Sequence, residues 1–164
     1  MVRVHESDGV ALVTLGDTLI SLWRDPAELS RVRWHAAKIE EMAARHGSFV
    51  FVMLLLPSSS PPTGQASVES NALTKRVGHK TRLIAVAALG DGLWIQVVRT
   101  IMRGMLLLSG DSKRLSVVAT VSEALDRVGG VAGPSTPSRE ELDEAVEQLH
   151  VRLGVPRVKA AAAS

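Results

Sequence analysis

Phe49-Val50-Phe51-Val52-Met53-Leu54-Leu55-Leu56 is an unbroken apolar run of strand length, halted by Pro57 and three serines. A strand open to water on one side alternates between apolar and polar residues. A strand covered on both sides does not, and the interior parallel strand of an α/β sheet has this signature. Aromatic and β-branched residues at its start, and the breaker at its end, favour a strand over a buried helix.

Immediately upstream, Asp25-Pro26-Ala27-Glu28 reads as a helix start, with Asp25 as cap and Pro26 where a missing N–H does no harm. Leu29, Val32, Ala36, Ile39 and Ala43 recur near a period of 3.6, which predicts a helix to Arg45 or His46, ended by Gly47. Before it, Val10 to Leu15 and Thr18 to Trp23 flank Gly16-Asp17 and read as a hairpin. The second run alternates, which places it nearer a sheet edge.

Downstream, Pro57 to Gln65 is a loop by composition. A helix over 67–77, a strand over 82–89 and a helix over 93–107 follow. A strand over 114–119 and a short helix over 123–128 complete the series, the latter closed by Gly129-Gly130. The order is β-β-α-β-α-β-α-β-α. This predicts a small mixed α/β sheet, with an N-terminal antiparallel hairpin, following parallel β-α units and flanking helices.

The expected organisation is an N-terminal arm (1–9), one α/β domain (10–130), a Gly/Pro/Ser-rich linker (131–137), an amphipathic helix (138–154) and a disordered tail (155–164). In the last helix Leu142, Val146, Leu149 and Leu153 form an apolar stripe. A lone helix of this length is marginal in water, so the stripe must dock, either on its own domain or on a partner.

The 164 residues suffice for one core, and the 46% apolar content excludes general disorder. Without cysteine there is neither a disulfide framework nor a thiolate nucleophile or metal ligand. No run reaches transmembrane length and no leader pattern precedes Val10, so a cytoplasmic protein is expected. The 19 basic and 17 acidic side chains nearly balance. The basic residues Lys75, Arg76, His79, Lys80 and Arg82 gather where helix electrostatics already favours cations, so no nucleic-acid partner is expected. His5, His35, His46, His79 and His150 lack metal-ligand spacing, and there is no nucleophile elbow or phosphate-binding glycine loop. No catalytic residue, metal or cofactor is therefore assigned.

From Arg82 to Val128, a strand ending Ala88-Leu89-Gly90-Asp91 leads to Trp94 in an apolar helix. Arg114-Leu115-Ser116-Val117-Val118 and Ser122-Glu123-Ala124-Leu125 follow. This segment resembles STAS-like domains related to anti-sigma-factor antagonists, especially the stand-alone bacterial kind, and the likeness extends loosely over Val10 to Val128. The resemblance implies a mixed sheet flanked by helices and a regulatory function exerted by binding, often without catalysis. Regulatory members carry a phosphorylatable serine at the helix after the central strand. Chain order places Ser58, Ser59 and Ser60 there, as a candidate modification or polar-ligand loop. Here no Asp precedes the first serine, and Pro61-Pro62-Thr63 intervenes before the helix.

The helix over 93–107 carries apolar residues around more of its circumference than one sheet contact needs. Trp94 and Met102, together with Leu142, Val146, Leu149 and Leu153, are the candidate interface residues. Their partner is an unidentified protein or a second copy of the chain, forming a homodimer. The expected function is a non-enzymatic regulatory or protein-protein interaction module. The alternatives are a small-ligand or lipid-binding domain, and an enzyme without a recognisable motif.

Overall fold

The protein is described by a computed structural model over residues 3–90, 93, 95–101 and 114–157. Its centre is a six-stranded sheet in the order β1-β2-β3-β4-β5-β6. The strands are β1 (Arg3–Ser7), β2 (Val10–Leu15), β3 (Thr18–Trp23), β4 (Phe49–Leu55), β5 (Thr81–Ala88) and β6 (Leu115–Val118). β1, β2 and β3 pair antiparallel, and β3 through β6 pair parallel. The helices are α1 (Leu29–Arg45), α2 (Gly64–Val77), α3 (described at 93 and over 95–101), α4 (Val121–Gly130) and α5 (Arg139–Leu153).

The mixed α/β sheet expected from the sequence is present, and β4 is its fourth strand, covered on both faces. Alternate residues of the apolar run serve different layers. Val50, Val52, Leu54 and Leu56 face a core shared with α4 and α5, whereas Phe49 and Phe51 pack against α1 and α2. The same parity runs through β5, where Leu83, Ala85 and Ala87 join the α4/α5 core. Each crossover from β3 to β6 steps to the next neighbour, so α1, α2 and α3 fall on one face. After β6 the chain passes to the other face, where α4 lies against β5 and β6 and α5 against β1 to β3.

Several local expectations are corrected. β3 is an interior strand, with Thr18 to Trp23 all buried, because β1 and β2 extend the sheet beyond it. Its alternation reflects small hydroxyls tolerated inside; Thr18 Oγ1 donates to Asp17 Oδ1 at 3.3 Å. The N-terminal arm contains β1, joined to β2 through Asp8-Gly9, with Gly9 at φ 79°. Asp25 does not cap α1: Glu28 holds the N-cap position with no side-chain cap bond. Arg24 instead grips the Asp25 carboxylate through Nε at 3.2 Å and Nη2 at 3.1 Å. α2 begins at Gly64 and α4 at Val121, each earlier than periodicity suggests. α4 starts there because the Thr120 hydroxyl accepts from the Glu123 N–H.

The linker region is tied down. Asp17 N–H donates to the Ser135 carbonyl at 3.3 Å, and Thr136 Oγ1 donates to Asp17 Oδ1 at 3.1 Å. Residues 131–137 thus form a strap across the amino end of the parallel strands, leading to the Ser138/Glu141 capping box that opens α5. The stripe Leu142, Val146, Leu149 and Leu153 is buried, 0–4% exposed, in the core formed with its own sheet. Those four side chains are taken up in the core of their own domain.

Gly16, at φ 50°, sits directly beneath the strap, and a Cβ there would collide with the Ser135 carbonyl oxygen. Gly16→Ala is expected to destabilise the protein by at least about 2 kcal/mol, combining left-handed strain with displacement of the strap. Urea denaturation measures it. A change below about 0.5 kcal/mol would mean that the strap is not held at this point.

Candidate interaction surface

α3 has two apolar faces, one buried and one exposed. Ile95 and Val98 are 8% and 3% exposed and pack on Ala88 of β5 and Leu55 of β4. Leu93, Val97 and Ile101 are 85%, 45% and 40% exposed. Their spacing of four places them along one side of the helix, a stripe about 12 Å long at 1.5 Å per residue. One face is fixed by the sheet, and the other is presented to solvent.

The exposed positions described on this helix are Leu93, Gln96, Val97, Thr100 and Ile101, and none carries a charge. By contrast, α1 exposes Arg33, Glu40, Glu41 and Arg45, and α5 exposes Arg139, Glu140, Glu144 and Glu147. Depletion of charge together with exposed branched apolar side chains is the composition of an interface centre. Scattered single apolar residues on a surface are ordinary, whereas an aligned stripe is not. Trp94 and Met102, the interface candidates named from sequence on this helix, lie outside the described residues.

At the carboxyl ends of the parallel strands, the loop after β4 is pinned to the segment after β3. Ser58 Oγ donates to the Arg24 carbonyl at 2.5 Å, and Ala27 N–H donates to the Ser60 carbonyl at 3.2 Å. Ser59 is buried, with its hydroxyl donating to the Leu56 carbonyl at 2.6 Å. Ser58 and Ser60 are exposed. Gly90 closes this end, at φ 110°, packed against Pro57 where a side chain would not fit. The three candidate serines therefore separate into one structural residue and two accessible ones.

Four of the basic residues near the amino ends of β5 and β6 have partners within the chain. Arg76 pairs with Glu40 at 2.7 Å, and Lys80 donates to the Ala43 carbonyl at 3.0 Å. Arg114 donates to the Gly78 carbonyl at 3.1 Å. Arg82 is the hub of the strap: it reaches Asp17 Oδ2 at 2.6 Å, Ser48 Oγ at 3.2 Å and the Val131 carbonyl at 3.2 Å. Arg82 is the structural one of these cations, whereas the Arg76 pair is half exposed and contributes little.

A shallow cleft of about 300 Å³ lies between α4, α5 and the strap, lined by Leu125, Thr136, Pro137 and Leu142. Arg139 at its rim is engaged by Asp126 and, at 3.0 Å, by Asp143. Among the described residues, no three His, Asp or Glu side chains gather as a metal site requires, and no helix is long and apolar enough to cross a membrane.

Two histidines are buried without hydrogen bonds to ring nitrogens that need them. His35 of α1 stands edge-on to Trp23 at 5.0 Å between ring centroids and tilted to Phe51 at 5.4 Å, with Nε2 unpartnered. Burial pushes its pKa down to about 3. Trp23 Nε1 and Ser21 Oγ are also unpartnered. The sequence shows of His35 and His150 only that they lack metal-ligand spacing, because the burial of each depends on long-range packing.

No family model matches the chain, and no curated protein matches it.

Proposed function

We propose that this chain is a non-enzymatic protein-protein interaction module of STAS-like type, and that α3 is its docking element. The observation that carries the reading is the uncharged stripe Leu93, Val97 and Ile101, held outward because Ile95 and Val98 anchor the helix to β4 and β5. A mixed sheet flanked by helices supports the STAS-like part of the reading, while function itself rests on the surface rather than on the fold. The favoured partner is a second copy of the chain. An uncharged apolar stripe is complementary to itself across a two-fold axis, whereas among the described residues the fully exposed positions of α3 offer a charged partner no counter-ion. Within this reading, Ser58 and Ser60 are the hydroxyls of the central loop that a modifying enzyme could reach.

Val97→Glu tests the proposal, because the two-fold axis would set like charges near one another in a desolvated seam. Self-association is expected to weaken at least about thirtyfold, the scale of one interface hot spot. The monomer's stability should shift by no more than about 0.5 kcal/mol, since the side chain is exposed. A variant that associates as tightly as the parent would remove α3 from the interface.

A further inference from the structure

The sheet ends in two edges of different chemistry. β1, at one edge, reads Arg3-Val4-His5-Glu6-Ser7 and carries charge of both signs. β6, at the other, reads Leu115-Ser116-Val117-Val118 and carries none. Charges on an edge strand discourage a further strand from pairing with it, and β6 lacks that protection.

The β5–β6 ladder fixes which groups of β6 point outward. Leu115 stands opposite Ile84, and the Ile84 N–H donates to the Arg114 carbonyl at 2.7 Å. Backbone groups of successive strand residues turn to opposite sides, so those of Arg114, Ser116 and Val118 face β5. The N–H and C=O of Leu115 and Val117 therefore turn away from the sheet. Among the described residues, no strand lies beyond β6 and no backbone group bonds to them. The side chains alternate in the same way. Val118 joins the α4/α5 core, which puts Leu115 and Val117, both half-buried, on the face that carries α3. The uncharged edge and the uncharged stripe of α3 thus belong to one side of the molecule.

We propose that β6 pairs antiparallel with β6 of a second copy across a two-fold axis, joining the two six-stranded sheets into one. The pairing rests on the self-association proposed for α3 and supplies its backbone contact. Its register follows from the outward groups. Leu115 opposes Val117 of the second copy, and Val117 opposes Leu115, each pair exchanging both of its N–H···O=C bonds. Ser116 then meets its counterpart on the axis as a non-hydrogen-bonded pair, with Cα atoms about 4.5 Å apart. A second copy fits better than a foreign strand for two reasons. In this register the outward groups of Leu115 and Val117 satisfy one another completely, and the axis sets both α3 stripes on the same face of the joined sheet.

The chain has no cysteine, so one introduced thiol reports on the axis. Under mild air oxidation of the full chain, Ser116→Cys is expected to form a covalent dimer at least about tenfold faster than Ser60→Cys. The exposed Ser60 position, in the loop after β4, meets its counterpart only by collision. Adding Val97→Glu to Ser116→Cys should remove that advantage. Equal rates for Ser116→Cys and Ser60→Cys, in a parent that sediments as a dimer, would overturn the strand pairing and leave α3 as the contact. A monomeric parent would overturn both. Should Ser116→Cys fail to fold, amide exchange in the parent decides. The Leu115 and Val117 amides should exchange about fourfold more slowly at about 100 μM than at about 1 μM, for a Kd of ~10 μM. Rates independent of concentration would overturn the pairing.

Discussion

Arg82→Ala is expected to lower the stability of the protein by about 3 kcal/mol, near the lower end for a broken buried ion pair. Arg82 ties together pieces far apart in sequence: Asp17 in the β2–β3 turn, Ser48 before β4, and Val131 and Thr136 in the strap. The Asp17 side chain is 6% exposed, so truncating its cation leaves a carboxylate with the Thr18 and Thr136 hydroxyls as its donors. Arg82 retains 27% exposure, which lets water reach the site and keeps the loss from rising further. Asp17→Asn should cost less, about 1–2 kcal/mol, since the guanidinium left behind is the more solvated partner. The double variant should be less destabilised than the sum of the two. Urea denaturation at neutral pH measures all three. Strict additivity would mean that the two groups act independently and that the strap is held by its backbone alone.

His35→Leu is expected to flatten the acid limb of the stability curve. The parent's His35 is neutral when folded, with its pKa pushed down to about 3, and titrates at the ordinary value once unfolded. Between those two values the unfolded chain binds a proton that the folded chain refuses. Stability from this group is therefore complete above about pH 7, falls by roughly 1.4 kcal/mol per unit below pH 6.5, and is down by about 2 kcal/mol at pH 5. Leucine binds no proton in either state and leaves no unpartnered Nε2 between Trp23 and Phe51. The variant should be at least as stable as the parent at pH 7 and lack one proton's share of the acid slope. The contribution of His150 remains in it. An unchanged slope between pH 7 and pH 5 would mean that His35 is solvated or partnered in the folded state.

The architecture was legible where burial leaves a compositional trace. The run Phe49 to Leu55, apolar on both parities, identified a strand covered on both faces, and the helix expected over 138–154 matches α5, Arg139–Leu153. β1 was less visible because Arg3-Val4-His5-Glu6-Ser7 is a polar edge strand. The signal that could have found it was Asp8-Gly9, a strong hairpin dipeptide followed by Val10. Asp25 misled because a capping residue before proline looks the same whether it meets backbone N–H groups or, as here, an arginine fork. Residues 131–137 looked like a free linker because the bonds that hold them come from Asp17 and Arg82, a long-range juxtaposition that composition does not encode.

The candidate surface was legible only in part. An excess of apolar residues over 93–107 was evident, but which of them face the sheet depends on the rotation of α3 set by Ala88 and Leu55. The stripe on α5 resembled it in sequence and is covered by its own domain. Apolar periodicity reports that a face must be buried, not what buries it.

Sedimentation equilibrium of the unmodified full chain tests the central claim most directly. At up to about 100 μM, self-association with a Kd of ~10 μM or tighter would be plain. A reversible monomer–dimer equilibrium is expected, with the dimer predominating at the highest concentration. A single monomeric species across the whole range would contradict it, leaving the stripe on α3 without the partner assigned to it.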